Sequence, residues 1–209
     1  MKKIIELTVP ENWADIKLKE YLAMAKEIQS YEGEEEAQTA VAIYHLCGLD
    51  AEQLSRISSE SFLKLRNSLA QFMNNKKFDL QKFVTINGVE YGFEPNLSQI
   101  TYGAFADITK YDTIEINDNW AKIMSILYRP IEIKQKNWYS IKAYDGKIDE
   151  EKWLNVGMDI HFGALFFFVN LLKDLQNSIL KSMSKESELP QNIKSLLARS
   201  GEIMHQSLN

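Results

Sequence analysis

The side chains best suited to metal or acid–base chemistry are few and scattered: His45, His161 and His205, with one cysteine, Cys47. Zinc sites show in sequence as local ligand pairs, because several donors must converge on one ion. No such pair occurs here. His45 and Cys47 stand two apart, which on a helix turns them onto different faces. The expectation is therefore no metal ligand and no metal, with Cys47 packing as a small apolar residue. Asp159 and His161 are the strongest catalytic candidates, since they interrupt an apolar stretch where an uncompensated charge is costly. They too are two apart, and no nucleophile motif such as G-x-S-x-G accompanies them. Solvent exposure or a structural hydrogen bond is the preferred role for both, so no catalytic residue is assigned and the chain is not expected to be an enzyme.

The backbone cradles that hold nucleotide phosphates, G-x-G-x-x-G and G-x-x-x-x-G-K-[ST], are missing from the sequence, so no cofactor and no cofactor-binding residue is expected. Carboxylate runs at Glu34–Glu36 and Glu150-Glu151 read as solvated helix starts, where the helix dipole favours negative charge. Lys136, Trp138, Tyr139 and Lys142 form an aromatic–lysine group that could stack on a single strand. A strand with one wet face is the preferred reading, because 24 Lys plus Arg against 29 Asp plus Glu leave a net charge of −5. That field favours neither nucleic acid nor anionic lipid.

These residues must be positioned by a chain of 209 residues, 45% hydrophobic and 25% charged, with 9 Gly and 4 Pro, the balance of an ordered protein. The patterning predicts a mainly α protein with a small β element (α+β): a helical lobe, a β-hairpin region and a long C-terminal helix at the centre. One globular domain over 1–183 is expected, with a helical first half (1–80) and an α+β second half (81–183). A short strand is predicted over 2–9, then helices over 13–31, 35–46, 51–57 and 60–74. Gly48 stops the second of these helices, and Ser58 or Ser59 caps the last. Asn87-Gly88 between Phe83 and Phe93 closes a hairpin, since both residues adopt positive φ readily. Helices follow over 98–110 and 117–127, the latter ended by Arg129-Pro130. Ile131, Ile133, Tyr139, Ile141 and Ala143 alternate like a strand or second hairpin arm, with its turn at Asp145-Gly146. A single helix is predicted from Asp149 to Met183, and Gly157 and Gly163 within it call for close packing or a kink.

The apolar segment Phe162–Leu172 is far shorter than the roughly 20 residues that span a bilayer, so no membrane is expected. Glu6 interrupts the apolar N-terminus, which argues against an export signal, and one cysteine suits a reducing compartment. Ser184–Pro190 reads as a polar linker before a terminal amphipathic helix, the 184–209 segment, in which Ile193, Leu196, Leu197, Ile203 and Met204 form an apolar stripe. Burying that stripe contributes on the order of 5 kcal/mol before the ordering cost is subtracted. These five are the candidate partner-binding residues, docking in cis or in trans.

Several segments together resemble small proteins encoded among the head and tail structural genes of tailed bacteriophages, crAss-like phages included. They are Ile126-Leu127-Tyr128-Arg129-Pro130; Tyr139 to Gly146, with Tyr144-Asp145-Gly146; Gly163 with Phe166-Phe167-Phe168; and the Phe83–Phe93 hairpin followed by Ile100-Thr101-Tyr102-Gly103-Ala104-Phe105. The likeness covers about residues 83–182 and carries over no site residue. It implies a non-enzymatic bacteriophage virion or virion-assembly protein working through protein–protein contacts: a head or tail structural component, a packaged protein or a tail assembly chaperone. Its partners would be other phage structural or assembly proteins, or copies of itself. Its place would be the host cytoplasm during assembly, with incorporation in the virion as one outcome. The competing readings are a small cytoplasmic enzyme whose site is assembled from dispersed polar residues, Asp159 and His161 among them, and a regulatory adaptor.

Overall fold

The computed structural model describes residues 9–74, 78–111 and 115–183. Among these residues it has eight α-helices and one four-stranded antiparallel sheet, the mainly α fold with a small β element that the patterning predicts. Val9, at the end of the strand expected over 2–9, takes no regular structure; residues 2–8 and the linker and helix expected after Met183 lie outside the described residues. Contacts gather the chain into two compact units: Met1–Phe78 with Asp149–His161, and Asp79–Ile148 with Phe162–Asn209.

In the first unit, the single helix expected over 13–31 is split. A 3₁₀ turn at Trp13–Asp15, capped by the Asn12 side chain accepting from the Ala14 N–H at 2.9 Å, is followed by extended Ile16 and Lys17 and then α1 (Leu18–Gln29). Next come α2 (Glu35–Cys47), α3 (Ala51–Arg56) and α4 (Ser59–Met73). Their ends follow local chemistry. Gly48 takes the left-handed conformation and donates its N–H to Tyr44, Asp50 and Gln53 form a reciprocal capping box, and Ser58 caps α4. Ile43, Leu49, Leu65 and Leu69 form a buried cluster, with Leu46, Cys47, Leu54 and Phe62 packed against it. A second patch stacks Trp13 on Phe72 at 4.5 Å.

The single helix expected from 149 to 183 is also split, and for a tertiary reason. α7 (Glu150–Leu154), capped by Asp149, ends at Asn155, and α8 (Met158–Met183) starts afresh three residues later. Between them Gly157 pairs antiparallel with Lys17: the Leu18 N–H donates to Val156 at 3.0 Å and the Met158 N–H to Ile16 at 2.8 Å. These two bonds satisfy backbone groups at the start of α1 and of α8 while breaking both predicted helices. The approach is so close that a Cβ on Gly157 would sit 2.6 Å from the Ala14 carbonyl oxygen.

The second unit is built on the sheet, ordered β1-β2-β3-β4. β1 (Phe83–Ile86) and β2 (Val89–Phe93) form the expected hairpin, with Asn87 at φ 51° and Gly88 at φ 78°, the signs a tight hairpin turn of type I′ requires. α5 (Tyr102–Lys110) follows a 3₁₀ turn at Leu97–Gln99 and is capped by Thr101. α6 (Trp120–Leu127) buries Trp120, Ala121, Ile123, Met124, Ile126 and Leu127, then passes directly into β3 (Tyr128–Gln135). Arg129 and Pro130 thus lie inside a strand rather than merely closing a helix. A residue before proline is biased toward extended backbone, which suits β3 equally well. β4 (Trp138–Ile141) pairs with β3 after a turn at Lys136-Asn137, and a register shift between Ile131 and Ile133 breaks the expected odd-numbered alternation. Asp145-Gly146 turns the chain after the sheet, not within it; there the Lys147 N–H donates to the Asp145 carboxylate at 3.0 Å.

α8 begins in the first unit and continues in the second, where a Cβ on Gly163 would lie 2.5 Å from the Asp79 carbonyl oxygen. Alanine normally gains about 1 kcal/mol over glycine in a helix interior. For Gly163→Ala the backbone clash should outweigh that gain and leave a net loss of about 1–3 kcal/mol. Gly103→Ala on α5, whose Cβ would meet only the Tyr144 ring at 3.9 Å, should instead stabilise by about 0.5 kcal/mol. Urea melts of the two variants should shift in opposite directions; a stabilised Gly163→Ala would show that Asp79 does not pack there.

Candidate functional site

The second unit holds a concavity of about 550 Å³. Its walls come from the end of β2 (Phe93, Glu94), the segment Pro95–Leu97 that follows, the second hairpin (Asn137, Trp138, Tyr139), Leu80 and Lys82 before β1, and Phe167 and Leu171 of α8. Gly92 sets its shape. The Tyr139 ring and Ile141 lie over Gly92 so closely that a Cβ there would fall 2.9 and 2.8 Å from them. Lying flat across β2, Tyr139 donates its hydroxyl to the Phe93 carbonyl at 2.7 Å and meets the Phe83 ring edge-on at 4.8 Å. Phe93 is in turn held by Tyr128 and Phe167, with ring centroids at 5.1 and 5.4 Å.

Glu94 and Tyr139 of this groove are already engaged. Glu94 pairs with Arg129, both side chains 11% exposed, and its other oxygen accepts from the Asn96 N–H at 3.2 Å. Burial raises the pKa of Tyr139, and the Glu94 charge raises it further; burial does the same for Tyr128, assisted by Tyr139. Both hydroxyls therefore stay protonated at neutral pH and donate hydrogen bonds, Tyr128 to the Gln81 carbonyl at 2.7 Å. What the groove offers is apolar and aromatic area: Trp138 is 53% exposed and Leu171 41%. Such a lining suits binding through burial of apolar surface.

Of the aromatic–lysine group, the structure brings Trp138 and Tyr139 to this groove, whereas Lys136 and Lys142 do not line it. Lys134 takes the ring contact instead, 3.9 Å over Phe83, while paired with Glu90. His45 bonds Glu27 at 2.8 Å, linking α2 to α1. Cys47 faces the buried cluster, and burial raises its thiol pKa, which keeps it protonated and slow to react. Among the described residues no group of three or more His, Cys, Asp or Glu is placed to hold a metal ion, and no helix is long and apolar enough to cross a membrane. His205 and the candidate partner stripe, Ile193, Leu196, Leu197, Ile203 and Met204, lie outside the described residues.

Asp159 and His161 separate as their spacing requires: Asp159 is half-buried, His161 completely buried. The His161 Nε2 lies 3.1 Å from the Trp153 carbonyl oxygen, which can only accept, so Nε2 carries the proton. The Trp153 ring meets the imidazole edge-on at 6.4 Å. His161 thereby ties the C-terminal end of α7 to the first turn of α8. Burial pushes its pKa down to about 4, against the opposing pull of the Trp153 and Val156 carbonyls. It is a buried hydrogen-bond donor.

The groove was hidden from sequence reasoning because its walls run from Leu80 to Leu171 with no fixed spacing. Gly92 inside a strand pattern was the one local sign of a close approach. No protein-family model, curated protein or solved structure matches the chain.

His161 makes stability depend on pH with a definite sign. Its folded pKa lies below the ordinary 6.5 of the unfolded chain, so the unfolded state takes up the proton first. Its contribution is complete above about pH 6.5, falls as pH drops toward 4, and is flat below, a loss of about 3 kcal/mol. Urea melts at several pH values should show this loss in the native protein and not in His161→Gln, whose amide can donate but does not titrate. Parallel pH profiles would mean that His161 is not buried as described.

Proposed function

We propose that this chain is a non-enzymatic interaction protein of a bacteriophage particle or its assembly pathway: a head or tail structural component, a packaged protein or a tail assembly chaperone, working in the host cytoplasm during assembly. The observation that carries the interaction reading is the groove of the sheet unit, where aromatic walls and an exposed tryptophan stand beside the paired Glu94 and the hydrogen-bonded Tyr139. Tryptophan at the edge of an apolar concavity is the kind of residue that dominates binding energy at protein interfaces. Further large apolar side chains are exposed on the same unit, with Tyr102 at 85% and Phe105 at 54% on α5. The phage setting rests on the resemblance over residues 83–182. Phe93, Tyr139 and Phe167, three of the residues that shape the groove, fall within the segments that carry it. The competing enzyme reading takes a site of dispersed polar residues that includes Asp159 and His161, of which His161 is completely buried.

The test is co-expression with the head and tail structural proteins encoded beside it, followed by light-scattering mass on size exclusion. A complex of defined stoichiometry is expected with at least one of them. Trp138→Ala should weaken that complex at least tenfold, the effect of a buried tryptophan anchor, while leaving the melting curve unchanged. A chain that elutes alone beside every neighbour would overturn the proposal, and an affinity unchanged by Trp138→Ala would remove the groove from it.

A further inference from the structure

We propose that the groove of the sheet unit receives a short acidic and apolar segment of a partner protein, one that buries a bulky apolar side chain against the aromatic walls and presents a carboxylate to Lys82. The inference rests on the reading of the groove as a protein-docking site and is independent of the phage setting.

The charges at the groove favour an anion. Its charged lining residues are Lys82 and Glu94. Glu94 is neutralised by Arg129, so it does not repel an incoming carboxylate and is not free to hold a cation. Lys82 is exposed and has no ion-pair partner among the described residues. The same excess extends through the strands. Residues 82–94 and 128–142 carry Lys82, Arg129, Lys134, Lys136 and Lys142 against Glu90, Glu94 and Glu132. Setting aside the Glu94–Arg129 and Glu90–Lys134 pairs leaves three lysines facing one carboxylate. These strands are therefore locally positive in a chain whose net charge is −5, which steers acidic ligands toward them.

The hydrogen-bonding groups have the same preference. The Asn96 Oδ1 accepts from the Ser98 N–H at 3.2 Å and from its hydroxyl at 2.7 Å, so what Asn96 has left for a ligand is its pair of amide N–H donors. The Lys82 ammonium likewise only donates. A carboxylate suits both groups. The rest of the lining selects for apolar bulk, with Leu80, Leu97, Phe167 and Leu171 beside the exposed Trp138. A single strand of nucleic acid is held along a track of cations, whereas one lysine lines this groove. At about 550 Å³ the space admits a few side chains rather than a folded domain, the scale of a short linear segment.

The test is selection from a random peptide library on the full-length protein, with counter-selection on Trp138→Ala. Enriched peptides are expected to join a bulky apolar residue to Asp or Glu. The best of them, measured by fluorescence anisotropy, should bind Trp138→Ala at least about tenfold more weakly. Lys82→Gln should weaken it by about three- to fivefold, the scale of an exposed ion pair, and Lys82→Arg should restore it. Added salt should weaken binding to the native protein more than to Lys82→Gln. Should Trp138→Ala fail to fold, Leu171→Ala takes its place in both steps. No enrichment, enriched peptides without acidic residues, or an affinity indifferent to Lys82→Gln would overturn the proposal. Displacement of the peptide by oligothymidylate would assign the groove to a single strand and also sink it, as would a dimer that Trp138→Ala dissociates. Acidic, apolar peptides selected as expected, from a chain that elutes alone beside every phage neighbour, would support this inference and remove the phage setting only.

Discussion

The architecture of the first unit depends on one short backbone pairing, between Lys17 and Gly157. It splits two stretches whose side-chain patterns favour unbroken helices, and it returns residues 149–161 to the helical N-terminal lobe. Two hydrogen bonds at 3.0 and 2.8 Å hold it, and Gly157 is tolerated there because any Cβ would strike the Ala14 carbonyl. His161 secures the far side by donating to the Trp153 carbonyl at the end of α7, a carbonyl that also accepts from the Val156 N–H at 3.2 Å. A short helix of this kind has little stability of its own. Its persistence rests on the packing of Trp153, which is 1% exposed, and on this buried donor.

The sheet unit has an analogous dependence on Gly92. Because β2 carries no side chain there, the Tyr139 ring from two strands away can lie across it and bond the Phe93 carbonyl. That single substitution of space for side chain makes room for Tyr139, which lines the groove with Trp138 and Glu94. The semi-buried Glu94–Arg129 pair then lets polar groups stand beside an apolar cavity without an uncompensated charge.

Wherever the signal was local, the sequence disclosed the structure. Asn87-Gly88 marked its hairpin because both residues needed positive φ, Gly48 marked the end of α2, and Ser58 the start of α4. The second hairpin was legible only as a strand or hairpin arm, with its turn misplaced to Asp145-Gly146, because the actual turn, Lys136-Asn137, uses no left-handed residue and leaves no glycine signature. The breaks at Ile16–Lys17 and Asn155–Gly157 escaped for a different reason: each is imposed by the other, across nearly the length of the described chain. His161 was correctly singled out as a polar residue in an apolar helix, yet only the fold shows that a carbonyl eight residues earlier satisfies it. The groove is the extreme case. Its walls come from β2, the segment after it, β4 and α8, and no periodicity joins Phe93 to Leu171.

The interleaved order of the two units along the chain has a consequence for biosynthesis. The helical lobe begins first, but it cannot be completed until residues 149–161 have left the ribosome, after every strand of the sheet has been made. While translation proceeds, α1 to α4 wait with the Leu18 N–H and the Ile16 carbonyl lacking their partners in residues 156–158 and with Trp153 not yet synthesised, whereas β1 to β4 pair between neighbours in sequence and can close early. The lobe that starts the chain is thus assembled late, through its longest-range contacts, and it is the one left with apolar surface uncovered during synthesis.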